Sequence, residues 1–256
     1  MKKILFVFAL STAIVSCKKE TSTPSTNTSS NTDTTTTKTD TTTTTTNVTS
    51  DGKLGATISD VDGNTYKTVI IGNQQWMAEN LNVTKFNDGT VIPNASLWLD
   101  WSENDTTGWC NYYNKAEYNA KHGKLYNWNV VSTLKNGDKN VCPTGWHVPN
   151  NSEWEKLGVK LGGVFVAGGK IKVKGTADWN SPNPDATNSS LFSAYPSGVR
   201  SSDGSFEGLG NVAQWWSTDE IDYRTANALS VYYVNSQFSL YSGVKRSGSS
   251  IRCIKN

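Results

Sequence analysis

Apolar and polar positions alternate first in Thr65-Tyr66-Lys67-Thr68-Val69-Ile70-Ile71, the period of a half-buried strand. Just before it, Asp60-Val61-Asp62-Gly63-Asn64 carries the Asp-Gly signal of a hairpin turn. Asp60, Asp62 and Asn64 also have the early spacing of a calcium loop. The sixth position is Thr65 rather than glycine and the twelfth Ile71 rather than glutamate, so the turn is the better reading. After Pro149 the period becomes helical: Asn150 can cap, Glu153 completes a capping-box pattern, and Trp154, Leu157 and Leu161 recur before Gly162-Gly163 stops the run. Leu125, Trp128, Val131 and Leu134, three apart, predict a second helix over 125–134. Residues 162–210 are rich in Gly, Ser, Asn and Pro and read largely as loop, while 228–234 and 249–254 read as closing strands. Lys170, Lys172 and Lys174 alternate, as on one face of a strand. Two helices, short antiparallel strands and long irregular loops predict an α+β domain.

The first fifty residues follow other rules. Lys2 and Lys3 precede an apolar run over 4–15 that is too short to span a bilayer, and Ser16-Cys17 follows. This resembles a lipoprotein signal over 1–16, in which Cys17 is acylated and becomes the new N-terminus. Residues 17–50 are then expected to be a lipidated cysteine and a disordered tether. Threonine dominates there, Leu, Ile, Phe, Trp and Tyr are absent beyond Cys17, and such a composition cannot bury enough surface to offset the entropy of ordering. Asp33-Thr34-Thr35 and Asp40-Thr41-Thr42 resemble O-glycosylation acceptors of Bacteroidota, with Thr34 and Thr41 as candidate sites. A lipid anchor in the cell envelope, in the outer membrane, is the expected location.

The remainder, 55–256, is long enough for one domain with a proper core. A net charge of +2 points neither to nucleic acid nor to a strongly anionic partner. Of 4 cysteines, Cys110, Cys142 and Cys253 remain after Cys17. In an exported protein an odd count means one bridge and one spare thiol, or an intermolecular bond. Cys142 with Cys253 is favoured, since it ties the chain's end to the middle of the domain. Cys110 as the partner of either stays open. There are only 2 histidines. His147, between Trp146 and Val148, reads as a structural residue and His122 as lying in a polar, exposed stretch; neither forms a metal-ligand pair or flanks a nucleophile.

A succession of motifs is more specific. Asp60-Val61-Asp62-Gly63-Asn64-Thr65-Tyr66, Gln75-Trp76-Met77-Ala78-Glu79-Asn80-Leu81, Gly123-Lys124-Leu125-Tyr126-Asn127-Trp128, Cys142-Pro143-Thr144-Gly145-Trp146-His147-Val148-Pro149 and Ser250-Ile251-Arg252-Cys253 follow in order. Together they resemble the Fibrobacter succinogenes major paralogous domain, found in lipoproteins of Fibrobacter and Bacteroidota. The resemblance implies a C-type-lectin-like fold, in the branch shared with formylglycine-generating enzymes, and transfers no activity. Asp178-Trp179 stands where family members tend to have His-Trp. The enzyme reading rests on the segments beginning at Val148 and Gly210, which resemble those of the formylglycine-generating relatives. Their copper chemistry needs a thiol pair, and residues 216–251 contain no cysteine. A non-catalytic recognition or adhesion module without a cofactor is therefore expected, with glycans or surface proteins as partners. Trp98, Trp101 and Trp179, with Asn180, Asn183 and Asp185, are the candidate ligand residues. Asn183-Pro184-Asp185 only loosely resembles a lectin calcium triplet. Trp76, Trp128, Trp146, Trp154, Trp215 and Trp216 are expected in the core, where an irregular domain uses large rings that satisfy their own polar tips.

Overall fold

The computed structural model describes residues 50–102 and 105–256. Cys17, Thr34 and Thr41, and with them the signal, anchor and tether, lie outside the described residues. In chain order the domain opens with strands β1 (Lys53–Ser59), β2 (Thr65–Ile71) and β3 (Gln74–Met77). Helix α1 (Leu99–Ser102), β4 (Trp109–Cys110), α2 (Asn119–His122), β5 (Leu125–Tyr126), α3 (Thr133–Asn136) and β6 (Trp146–His147) follow. Then come α4 (Asn151–Lys160), α5 (Ala167–Ile171), β7 (Ser197–Arg200) and β8 (Phe206–Leu209). The chain closes with β9 (Val212–Glu220), β10 (Thr225–Tyr232), β11 (Ser239–Val244) and β12 (Ile254–Lys255). Few short helices and antiparallel sheets make an α+β domain.

The main sheet has the order β1-β2-β3-β12-β6, so the end of the chain is inserted between β3 and β6. Ile254 faces Trp76 on one side and His147 on the other. A second sheet runs β11-β10-β9. The disulfide Cys142–Cys253 forms just before β12 and holds this inserted end to the middle of the chain. Cys110 is the spare thiol, buried, with burial pushing it up to about 11.

Local chemistry accounts for the elements that the periodicity anticipated. At the β1–β2 turn, Asp60 Oδ1 accepts from the backbone N–H groups of Asp62 and Asn64, and Tyr66 Oη donates to Asp60 Oδ2 at 2.6 Å. Helix α4 has its full capping box: Asn150 Oδ1 accepts from Glu153 N while Glu153 Oε2 accepts from Asn150 N. Its inner face sends Trp154, Leu157 and Leu161 into a core with Trp76, Phe192, Trp215 and Leu229. Trp154 stacks on Trp76 with ring centroids 4.7 Å apart.

Three expectations are corrected. The run 125–134 is not one helix: Leu125–Tyr126 is strand, with Tyr126 exchanging backbone hydrogen bonds with Ser249. Trp128 N donates to Lys245 O at the start of a single 3-10 turn over Trp128–Val130, and α-helix begins only with α3. Long-range pairing claims the backbone that a helix would need. Lys170, Lys172 and Lys174 do not line a strand; Lys172 is buried at the end of α5, its Nζ donating to Tyr232 O and Asn235 O. Of 249–254, only Ile254 belongs to a strand, because Ser249 and Ser250 make single bridges to Tyr126 and Trp215.

Candidate functional site

Two buried arginines organise the loops that the sheets leave free. Arg252 donates through Nε and Nη2 to Asn80 Oδ1 and through Nη1 to Met77 O and Phe192 O. Arg200, on β7, donates to Gly204 O, Ala95 O and Ser96 O at 3.1, 2.8 and 3.1 Å. Its guanidinium lies between the rings of Trp101 and Phe206, 4.9 and 4.8 Å from their centroids. Backbone carbonyls and ring faces thus satisfy a charge that would otherwise be costly to bury.

Arg200 thereby pins the loop that carries Trp98. Trp101, 1% exposed, donates its indole N–H to Ala95 O and closes the base of the loop. Trp98 itself is 59% exposed, between the exposed Leu97 and Leu99. Its backbone side rests on Gly204 of the β7–β8 turn, where a Cβ would come within 2.8 Å of Trp98 Cβ and φ is +85°. Only glycine fits there. The neighbouring Tyr113-Asn114 turn is fastened to the same loop by Asn114 Nδ2 donating to Ser96 O. Tyr113 is held at φ 51°, ψ 20°, a left-handed conformation that costs about 1–2 kcal/mol for a bulky residue. Its half-exposed ring packs edge-on against Phe206.

A polar groove of about 780 Å³ opens beside the same turn, with Ser202 in its wall. Trp128 forms its floor, indole N–H donated to Ser217 O, and Lys245 lies over the ring at 4.5 Å while pairing with Glu220. On one side stand Asp105 and Lys135, an ion pair that also takes the Asn129 amide at 3.2 Å. The Lys135 ammonium is the main influence holding the Asp105 carboxyl below its usual range. On the other side, Tyr223 and Arg224 project from the β9–β10 turn, the guanidinium 5.0 Å from the ring centroid. Asp222 braces that turn by accepting from Arg224 N, Thr225 N and Thr225 Oγ1, and the first of these leads in holding its carboxyl below the usual range. The groove offers fixed donors and acceptors next to flat rings, the chemistry needed to hold a ligand rich in hydroxyl groups.

The residues singled out from sequence therefore part company. Trp98 is presented to solvent. Trp101 and Trp179 are corrected to core residues: Trp179 is fully buried, donates to Ala194 O and lies under the Lys172 ammonium, so neither ring can serve as a platform. Asn183 is also buried, its amide donating to Val173 O and Gly175 O. Asn180 donates to Asn211 Oδ1, and the exposed Asp185 accepts from Ser236 Oγ. Among the described residues no group of three or more His, Cys, Asp or Glu is placed to hold a metal ion. His147 bridges Glu153 and Asn256, as a structural histidine does. His122 is not exposed as expected; it sits between Tyr118 and Tyr195 with Nδ1 unpartnered, and desolvation pulls its pKa down to about 4. The groove escaped the sequence reading because its walls come from distant segments with no common motif. The one local signal was Tyr223-Arg224 in a tight turn.

Comparison with curated proteins and with solved structures finds no match to this chain. The family model described as the Fibrobacter succinogenes major domain matches residues 69–255, which take in the second sheet, the disulfide and the main sheet except β1 and the first half of β2. That match agrees with the motif succession, and the chain belongs to the Fibrobacter succinogenes major domain family.

Proposed function

We propose that the protein is a cell-envelope lipoprotein, held in the outer membrane through Cys17, whose domain is a non-catalytic recognition or adhesion module of C-type-lectin-like architecture that binds glycans. The observation that carries this reading is Trp98: a large aromatic ring left exposed on a loop pinned by Arg200 and resting on the β7–β8 turn, whose Ser202 lines a groove of paired charges and the Asn129 amide. Prearranging such a ring removes part of the ordering cost of binding, and a flat apolar face with polar groups around it suits a sugar ring. The oxidoreductase alternative asks for a thiolate pair. Cys142 and Cys253 are bonded to each other and Cys110 is buried, which counts against it.

A second reading is a surface protein that binds protein partners. It draws on Leu97 and Leu99, exposed on either side of Trp98 in the manner of an interface anchor. The test is a broad glycan and polysaccharide array probed with non-lipidated protein (Cys17→Ser), cysteines oxidised, with and without calcium. Binding that disappears in Trp98→Ala and in Tyr223→Ala supports glycan recognition at this site. A blank array in both conditions sinks it and leaves the protein-partner reading.

A further inference from the structure

A second surface feature is unrelated to the groove. Helix α4 ends in a rigid turn whose side chains break the usual surface rule. Val164, Phe165 and Val166 are consecutive and exposed, Phe165 at 75%, and Val159 one turn earlier in α4 is exposed at 76%. The turn is not slack. Gly163 N donates to Gly158 O, Ala167 N to Gly163 O, and Phe238 N to Val164 O. Val159 and Val164 also border a mainly apolar pocket of about 280 Å³ walled by Trp154, Leu229, Phe238 and Leu240, with Glu155 and Ser239 at its edge, so the protruding side chains adjoin a largely apolar hollow. A run of exposed apolar side chains on a fixed backbone marks a contact surface.

Two observations say what covers it. The first is where the described chain begins. Asp51 N donates to Ser189 O, and the Asp51 carboxylate pairs with Lys170 Nζ at 3.1 Å. Lys170 lies in α5, four residues beyond Val166, so the segment leading back to Cys17 joins the domain beside the patch. The second is charge: Lys156 and Lys160, one helical turn apart and exposed on α4, flank Val159, with Glu155 the acidic residue on the same helix surface. Apolar tips with two lysines on one flank suit a bilayer surface bearing anionic headgroups.

We infer that the turn 163–166, with Val159, is a membrane-contact surface that seats the domain on the lipid bilayer holding its own anchor. This rests on the lipid-anchor reading of Cys17. A tethered domain meets the surface at an effective concentration on the order of millimolar, so a few side chains suffice where they would not recruit a free protein.

The test uses the full mature lipoprotein carrying Phe165→Cys, labelled with a polarity-sensitive fluorophore and reconstituted into vesicles of phosphatidylethanolamine and phosphatidylglycerol. Cys110 is buried and stays unlabelled. The expected result is a blue shift with quenching by spin-labelled lipid, while the same label at Val91→Cys, also exposed and far along the chain, keeps its aqueous spectrum. Protein that floats with the vesicles but leaves the label at position 165 water-exposed overturns the contact surface and spares the anchor. Protein that does not float overturns the anchor reading and the inference with it. A concentration-dependent blue shift without vesicles, unchanged when they are added, makes the patch an interface between copies and also overturns the inference.

Discussion

Replacing Asn80 by alanine tests whether one amide holds the centre of this domain together. Asn80 is buried, and its Oδ1 accepts from Arg252 Nε at 3.0 Å, Arg252 Nη2 at 2.6 Å and Trp215 Nε1 at 2.8 Å. Its Nδ2 donates to His122 O, Ser197 Oγ and Ser250 Oγ. These contacts join the segment after β3 to β7, β9 and the chain's end, so one side chain spans most of the topology. Asn80→Ala strands a buried indole N–H at about 1–3 kcal/mol and removes the acceptor from a buried guanidinium, a loss of the size, about 3–5 kcal/mol, seen when a buried charge loses its partner. Arg252 keeps Met77 O and Phe192 O, which offsets part of this. A net loss of about 4–5 kcal/mol is expected, a large share of the roughly 5–15 kcal/mol that holds a domain folded. Urea unfolding followed by tryptophan fluorescence reads it: at a slope of about 2–3 kcal/mol/M the midpoint falls by about 2 M with the slope unchanged. Asn80→Asp keeps an acceptor for Arg252 and Trp215 and sacrifices only the donated bonds, so its loss is smaller. An alanine variant within about 1 kcal/mol of the parent, or an aspartate variant worse than alanine, refutes the argument that Asn80 serves chiefly as the partner of the buried charge.

Trp179→Ala should cost about 3–5 kcal/mol, the range for emptying a core aromatic site, whereas Trp98→Ala should change stability by less than about 0.5 kcal/mol; calorimetry of both checks the division between core and surface. His122 should make the protein acid-sensitive. Its folded pKa of about 4 lies below the ordinary histidine value of 6.5, so the unfolded chain binds the proton first and stability falls as pH drops from about 6.5 to 4. Discounted for partial solvent exposure, this amounts to about 2–3 kcal/mol. Urea midpoints across that window should show the slope in the parent and a weaker one in His122→Phe; equal slopes would sink the assignment. Losing the disulfide in Cys142→Ala/Cys253→Ala opens a loop with a sequence separation of 111, worth about 4–5 kcal/mol by chain entropy, and a drop of less than about 1 kcal/mol in denaturant titration would contradict that account.

What the sequence determined by itself is what short-range chemistry decides. The Asp60 turn, the capping box of α4 and the inward positions Trp154, Leu157 and Leu161 depend on partners a few residues away, and each is where the pattern placed it. The favoured pairing of Cys142 with Cys253 and the family motifs were legible too, because they sit in short, strongly patterned segments. Tertiary structure alone decided which aromatic ring faces water. Trp98 and Trp101 are three residues apart in one apolar stretch, yet Arg200, about a hundred residues further on, turns one outward and buries the other. It likewise broke the periodic run 125–134 into a strand, a 3-10 turn and a short α-helix, since Ser249 and Lys245 took the backbone groups of Tyr126 and Trp128. The groove was equally invisible, with Asp105, Lys135, Glu220 and Tyr223 meeting only after the sheets have formed. A hydrogen bond or buried surface between distant segments leaves no periodicity in either one. Exposure of a given ring therefore belongs to the folded topology, while a cap or a turn belongs to its immediate neighbours.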